Sequence, residues 1–505
     1  MNGANNSNSS AISDPVRYMI FGDARAATTQ TTRLRIKHDE REESARDSHR
    51  FAFACLLAFT VLLYIRPQEM FSDTFGTFPL VKIVAGVALI AYFLARVIRN
   101  EHLSIAPIEL KMLGVIFMLG AAFTPLAAAP QDSFDVLFDL FIKVVAIFVL
   151  MINIINTRKR LRSMMTLVTI CGAVLALFAI HSYVTGNFKM IVKSEGYVVG
   201  MRIFGPVGGI VGNPNDLATT LDMLLPLAVV LAILKRGAAR AFFFACAALL
   251  VAGVVVTFSR GGFLGLIAMA AVLLWKASRR NRALMAAAFV VLLGVFVMAM
   301  PTGYAGRIST IFHIGEDPTG SSQARSELLE RVATVALYHP LVGVGMGNFH
   351  IYSIREQVSH NSYLEIAAEL GVAGLAAYLI LIFAPLRSLR RVERETESED
   401  NTLQFPSPNE RRRREIHYMS IALQAVLVAY IVCSFFGSIE YQWFLYYPVA
   451  YAIALRQIHA AEQADSVTAT SHALRKPARA RGVLWRRYRR PIAQTASGSA
   501  GVSPA

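Results

Sequence analysis

The sequence predicts an all-α, polytopic integral membrane protein of about twelve transmembrane helices, and three observations carry that expectation. Of 505 residues, 55% are hydrophobic and 17% charged, against roughly 45–50% and about 25% in soluble domains. Mean hydropathy is +0.46. Apolar runs of about 20 residues, the length a helix needs to cross a bilayer, recur along the whole middle of the chain and leave no stretch for a separate soluble core. A soluble enzyme is excluded.

Taken in order, residues 1–50 are rich in Ser, Asn, Thr and Arg and lack the apolar core and small-residue cleavage site of a signal peptide. They are expected to form a disordered cytoplasmic tail. The membrane domain, 51–457, is expected to place spans at 51–66, 78–98, 107–127, 134–155, 162–184, 216–234, 239–258, 261–277, 283–300, 362–386, 417–436 and 441–457. A large outer loop, 301–361, separates spans nine and ten.

Charge sets the orientation. Alternate connections carry Arg96 and Arg99, then Arg158, Lys159, Arg160 and Arg162, then Lys235, Arg236 and Arg240, then Lys276, Arg279, Arg280 and Arg282, then the Arg387–Arg414 segment. These are the cytoplasmic side by the positive-inside rule. The opposite connections 67–77, 128–133 and 437–440 contain no Lys or Arg. Both termini are then cytoplasmic. The segment 387–416 mixes a glutamate run with Arg411–Arg414 and reads as a flexible cytoplasmic linker loop. The basic tail 458–505 ends in the Leu484–Arg490 cluster, suited either to an anionic inner leaflet or to plain solvation. The net charge of +16 lies in these loops and tails, so it implies a lipid bilayer and no nucleic acid partner. The four cysteines, Cys55, Cys171, Cys246 and Cys433, fall inside apolar runs and are expected to pack, with neither disulfide nor metal site.

Cations on the outer side need a reason, and three groups of residues stand out. Arg325 lies in the middle of the apolar face of an amphipathic helix expected over Gln323–Tyr338. Leu328, Leu329, Val332 and Ala336 share its face, while Glu327, Glu330, Arg331 and Thr334 point away. A partly buried guanidinium needs an anion, either a bound ligand or an internal carboxylate. Arg260, in Phe258-Ser259-Arg260-Gly261-Gly262, is a second outer arginine. It either snorkels to the interface or, with Arg325, binds a pyrophosphate through bidentate guanidinium pairs. The two glycines would let a helix or ligand approach the backbone.

His360 precedes the tenth span, where Ser362 and Glu365 have capping-box spacing. The helix dipole would lower its pKa and keep it neutral, as a general base requires, with Asn361 beside it to hold the ring. A polar interfacial histidine is the alternative. His313, His339 and His350 have less constrained surroundings. The alternating glycines Gly343, Gly345 and Gly347 lack a strand-loop-helix setting and read as a flexible outer loop. Arg202, in Arg202-Ile203-Phe204-Gly205-Pro206, and Asn213, in Gly212-Asn213-Pro214-Asn215-Asp216, could bind a polar head group. Turn chemistry explains the Asn-Pro-Asn equally well, with Asn215 the expected N-cap of the sixth span.

These segments resemble the O-antigen ligase and polymerase superfamily. The resemblance rests on Arg325 to Leu329, Pro340-Leu341-Val342-Gly343-Val344-Gly345, His360-Asn361-Ser362-Tyr363-Leu364 and Glu369 to Leu375. Ser259-Arg260-Gly261 and Gly212 to Asn215 match upstream patterns, so the likeness covers about 200–390. It implies a GT-C-like helical fold and a glycosyltransferase of the inner membrane that takes glycan from an undecaprenyl-pyrophosphate carrier on the periplasmic side. It further implies that His360 activates the acceptor hydroxyl and that Arg260 and Arg325 engage the pyrophosphate. Arg202, Asn213 and Asn361 are expected, from their positions in the sequence, to contribute to substrate binding. The acceptor could be a lipid A-core, a growing glycan or a protein, making the chain a ligase in lipopolysaccharide or cell-surface polysaccharide synthesis, a polymerase, or a protein O-oligosaccharyltransferase. The segment Tyr64 to Glu69 is similar to members found with exopolysaccharide or exosortase genes. The chain has no Asp-x-Asp motif and its outer loops lack a tight carboxylate cluster, so metal-independent transfer without a cofactor is expected. The transfer is expected to be inverting. A transporter, the reading from another class, would want ionisable residues near the midplane of several spans, and Lys82, Lys111 and Lys143 lie toward helix ends.

Overall fold

The structure, a computed structural model, describes residues 49–67, 79–187, 189–192, 198–203, 212–277, 321–397 and 407–474, with residues 287, 290 and 294 singly. The chain divides into Ser44–His459 and a unit made of both termini, Met1–Glu43 with Ala460–Ala505. In the latter only the helical stretch 460–474 is described. The expected N-terminal tail up to residue 48, the ninth span apart from residues 287, 290 and 294, the first part of the 301–361 loop and the Leu484–Arg490 cluster lie outside the described residues.

The membrane unit is helical. Its elements are α1 (Arg50–Ile65), α2 (Leu80–Ile98), α3 (Ile108–Phe123), α4 (Pro130–Phe134), a π-helical stretch Asp135–Phe141 running into α5 (Ile142–Ile154), and α6 (Arg158–Val184). There follow a short antiparallel hairpin, β1 (Lys189–Val192) with β2 (Val198–Arg202), then α7 (Pro214–Leu234), α8 (Ala238–Val256), α9 (Arg260–Ala277), α10 (Ser321–Tyr338), α11 (Phe349–Tyr352), α12 (Ser362–Thr396), α13 (Pro408–Cys433) and α14 (Trp443–Leu474). Among the described residues eight helical segments are long and apolar enough to cross a membrane, and α1 is a shorter apolar helix. The hairpin, with Lys189 opposite Arg202, is the one strand pairing among the described residues.

Packing follows burial. Helices α7 and α13 form the middle, α7 against α8, α9 and α13, and α13 also against α9 and α12, while α3 lies on α12 and α1 on α2 and α6. Span α7 is the most deeply buried of the candidate spans, and α2 and α3 present most of their surface outward. That surface carries Ile90, Leu94, Val97 and Met118, exposed as lipid-facing positions should be.

Caps mark the helix starts. Pro214 has no N–H to cap and fits the first helical position, so the N-cap of α7 is Asn213, whose Oδ1 accepts from the amides of Asn215 and Asp216, both at 2.9 Å. The expected cap, Asn215, is two residues inside. Ser407-Pro408-Asn409-Glu410 forms a capping box, and α12 runs on to Thr396. The segment 387–416 is therefore helix at both ends rather than a linker loop. Lys276 bonds Glu393 at 2.6 Å, and Gln424 bonds the same carboxylate at 2.9 Å, which ties the C-terminal ends of α9 and α12 to the body of α13.

The spans also bury charge. Arg456 forks onto Glu109 at 2.9 and 3.1 Å, a bidentate pair. In the middle of α7, Asp222 is fully buried, with Oδ2 3.7 Å from the Cys433 thiol and Oδ1 without a partner. An inventory of lysines alone missed this intramembrane carboxylate.

Helix α12 breaks at Gly371, whose φ of 67° and ψ of −169° are non-helical. The break frees backbone groups that a membrane span must satisfy internally. Val372 N–H, which in an unbroken helix would bond Ala368, donates instead to Pro340 O at 2.8 Å. Ala368 O accepts from Val344 N–H at 2.9 Å, and Glu369 O from Gly345 N–H at 3.0 Å. The glycine loop is thus packed rather than flexible: Val344, Met346, Asn348 and Phe349 are buried. A Cβ on Gly343 would sit 2.2 Å from Glu369 O, and one on Gly371 2.7 Å from Pro340 O. Asn348 fastens the other side, accepting from Ala129 N–H at 2.7 Å and donating to Ser133 Oγ at 2.8 Å.

Gly371→Ala should therefore destabilise the protein by about 2–4 kcal/mol, since it combines a conformation reserved for glycine with a backbone clash. Gly86→Ala in α2, where a Cβ meets nothing within 4 Å, should cost no stability. Thermal unfolding of both variants in detergent checks this; equal melting temperatures would count against the broken-helix packing.

Candidate active site

The amphipathic helix α10 begins two residues before the expected Gln323. Leu328, Val332 and Val335 are buried while Glu327, Glu330 and Arg331 face out. Val332 and Val335 pack with Val344, Phe349 and Ala368, so α10 lies across the glycine loop and the first half of α12. Leu329 and Ala336, assigned to the apolar face from spacing, are half-buried flanks. Arg325 is half-buried one turn before Leu328, and its charge is felt at His360, just before the start of α12. Arg331 on the outer face donates to Tyr352 O at 2.6 Å.

His360 lies in that start, in a left-handed conformation with φ of 56°. Such a backbone persists in a non-glycine residue only when its surroundings over-determine it, and here a single carboxylate does so. Glu365 Oε2 accepts from Ser359 N–H at 3.0 Å, from Ser359 Oγ–H at 2.6 Å and from the hydroxyl of Ser438. Each hydroxyl then accepts an amide beside the histidine: Ser438 Oγ takes His360 N–H, and Ser359 Oγ takes Asn361 N–H, both at 3.0 Å. The capping box expected from Ser362 and Glu365 does not form. The cap is Asn361, whose Oδ1 accepts from Tyr363 and Leu364 N–H at 3.1 and 3.0 Å, and Ser362 Oγ donates instead to Gly437 O at 2.7 Å. Asn361 therefore caps the helix and does not hold the ring, and its Nδ2 is buried with no acceptor.

The ring is held neutral for a reason other than the helix dipole. Burial comes first and the charge of Arg325 second, together bringing the His360 pKa down to about 4. Arg325 and His360, 35 residues apart in sequence, thus act on each other through space. Glu440, in the turn between α13 and α14, is also buried. Desolvation, then the charges of Glu365 and Glu369, push its carboxyl well above the usual carboxylate range, and its Oε2 has no partner.

Arg260 is the first residue of α9. Ser259 caps that helix through Gly262 N–H at 3.2 Å and donates to Asn215 Oδ1 at 2.8 Å, so the starts of α7 and α9 are bonded together. The two glycines admit neighbouring helices. A Cβ on Gly262 would meet Ala218 of α7 at 2.5 Å, and one on Gly261 would meet Phe436 at 3.0 Å. Phe436 precedes Gly437, whose carbonyl accepts from Ser362 N–H at 3.0 Å. Arg260 and His360 therefore flank one strap, residues 434–442, that also carries Ser438, Glu440 and Tyr441; Tyr441 bonds Glu369 at 2.9 Å.

The remaining candidates are placed less centrally. Both polar atoms of Asn213 have partners in its own turn, Nδ2 bonding Asp216 Oδ2 at 2.5 Å. Arg202 ends β2, with its side chain outside the described residues, as are His313 and the side chain of Arg355. His350 is more constrained than its sequence suggests, with Nδ1 2.8 Å from Gly347 O and Nε2 3.5 Å from Asp132. His339 faces Tyr352. Among the described residues no three His, Cys, Asp or Glu side chains are placed to hold a metal ion.

Ser438, Glu440 and the relay role of Glu365 escape a reading of the sequence. The only available signal is a serine and a glutamate in the otherwise uncharged turn Gly437-Ser438-Ile439-Glu440.

A comparison of the chain with curated proteins finds no match. Residues 245–379 match the family described as O-Antigen ligase, a stretch that runs from α8 through α9 and α10 to just past the kink of α12. It contains Arg260, Arg325 and His360, the glycine loop and Glu365. The segment 245–379 of this polytopic membrane protein belongs to the O-antigen ligase and polymerase superfamily.

Proposed function

We propose that the chain is an inverting membrane glycosyltransferase that moves a glycan from undecaprenyl pyrophosphate to an acceptor hydroxyl on the periplasmic side of the inner membrane. The observation that carries this reading is the neutral, backbone-clamped His360 within electrostatic reach of Arg325. His360 removes the acceptor O–H proton as the new bond to the anomeric carbon forms. The bond from that carbon to the pyrophosphate oxygen breaks, and the leaving group departs with its electron pair. Arg325 and Arg260 meet the charge that develops there, a role suited to fixed guanidinium forks. Asn361, whose buried side-chain N–H has no acceptor within the fold, is assigned to substrate binding together with Arg202 and Asn213.

The two groups are coupled. A pyrophosphate on Arg325 offsets the positive charge that depresses the His360 pKa, so donor binding raises the basicity of the histidine before the acceptor reacts. Fixed cations also remove the need for a divalent ion. The acceptor is a lipid A-core, a growing glycan or a protein hydroxyl, and offering each in turn to purified protein with a lipid-linked oligosaccharide identifies it.

Three outcomes follow from this reading. A reporter active only in the periplasm should be active when fused at residue 310 and silent after residue 460; the reverse pattern would sink the orientation. Arg260→Lys and Arg325→Lys should each lower transfer roughly 10- to 1000-fold with expression unchanged, because an ammonium cannot reproduce the bidentate contact. EDTA should leave wild-type transfer intact, and inhibition reversed by Mg²⁺ would oppose the metal-free mechanism.

For His360, a pKa depressed below the ordinary 6.5 keeps the base form populated as pH falls past 6.5 and loses it only through about 4. Transfer at low donor concentration should therefore hold from pH 7 to about 5 and fall toward 4, with the acid limb moving to higher pH as donor saturates. His360→Gln should lower the rate about 100- to 10,000-fold. Measured beside His350→Gln, an active His360→Gln and an inactive His350→Gln would assign the base to the other histidine.

A further inference from the structure

The far end of the bundle carries a second candidate site. Helix α7 leaves the Asn213–Ser259 turn and ends 21 residues later at Leu234, about 32 Å away at 1.5 Å per residue. There a cavity of about 360 Å³ is lined by Arg162, Lys235, Arg236, Arg240, Arg411 and Arg414, by one carboxylate, Glu415, and by Ile233 and Leu234. That volume suits a small ligand. Six cations surround one anion, and that anion is already shared: Glu415 bonds Arg158 at 3.2 Å and Arg162 at 2.9 Å.

The placement concentrates positive charge at one end of the bundle. Helices α6, α8 and α13 all begin at this end, and helix N-termini favour acidic residues. Yet the first turns of α6 and α8 have no acidic residue, α6 opens Arg158-Lys159-Arg160, and α8 carries Arg240 behind an N-cap, Gly237, that offers no side chain. In α13, Glu410 is followed at once by Arg411–Arg414. Three positive helix ends and the arginines upon them raise one another's potential. Arg240 donates to a backbone carbonyl, Lys235 O at 3.1 Å, and Arg414 lies over the Tyr418 ring at 5.5 Å, and neither contact neutralises charge.

We propose that this cavity binds the phosphate headgroup of an anionic phospholipid from the adjacent leaflet. The cations meet the phosphate oxygens, and Ile233 and Leu234, at the end of a membrane-buried helix, meet the glycerol and the first methylenes. A free phosphate would use the same cations but gain nothing from the apolar wall. The site is remote from His360 and stands whether or not the transfer reaction is as proposed.

The test uses delipidated full-length protein in a zwitterionic detergent with fluorescent cardiolipin as the probe. Unlabelled cardiolipin should compete, whereas phosphatidylcholine and, at equal phosphate concentration, inorganic phosphate should not. Arg236 and Arg240 are exposed, so Arg236→Gln with Arg240→Gln should leave the unfolding temperature in lipid-free detergent unchanged and weaken binding roughly 30-fold. Arg387→Gln, exposed but outside the cavity, should stay within about twofold of wild type, and raising salt should weaken binding to the wild type itself. Binding that is indifferent to salt, or equal in the double variant and wild type, would overturn the proposal. Competition by phosphatidylcholine would reduce it to nonspecific lipid contact, and equal competition by inorganic phosphate would overturn the lipid assignment.

Discussion

A helix that breaks inside a membrane must find partners for the backbone groups it frees, and the break of α12 at Gly371 imposes that requirement on everything around it. The glycine loop meets it by exchanging hydrogen bonds with residues 368, 369 and 372. The loop can come that close only because Gly343 has no Cβ to strike Glu369 O. Once seated, it forms the floor on which Val332 and Val335 of α10 pack. Through Asn348 it also holds the connection between α3 and α4. The position of Arg325 is therefore a consequence of a backbone accounting problem in another helix.

The second half of the site depends on a carboxylate that touches no candidate side chain. Glu365 fixes His360 by way of two serine hydroxyls, each donating to the carboxylate and accepting from an amide next to the histidine. One of those serines, Ser438, comes from the strap between α13 and α14, so the histidine is clamped between elements almost 80 residues apart. The same strap abuts Gly261, next to Arg260. Three helix starts, those of α7, α9 and α12, thus converge on a turn that contributes no cation of its own.

Electrostatics divides the molecule between its two ends. Near His360, one guanidinium and burial keep an imidazole neutral. At the opposite end, arginines crowd helix N-termini around a single carboxylate. Partly buried arginine at one end and exposed arginine at the other give the two sites different sensitivity to salt.

Composition and periodicity by themselves determined that the chain is a helical membrane protein, because both report local quantities: the length of apolar runs and the face on which side chains recur. They placed α10 and the half-buried face of Arg325 to within two residues, and they singled out His360, Arg260 and Arg325. Local signals failed where partners are distant. The Ser362–Glu365 spacing looked like a cap, but Asn361 takes the free amides, and Glu365 is drawn to serines that only folding brings near. The alternating glycines looked mobile because nothing nearby in sequence announces the broken helix they fit. Ser438 and Glu440 carried no periodic signal at all. Tertiary structure alone decided these, since the partners of a freed backbone group, and the burial that sets a pKa, are properties of what packs against a residue rather than of its neighbours along the chain.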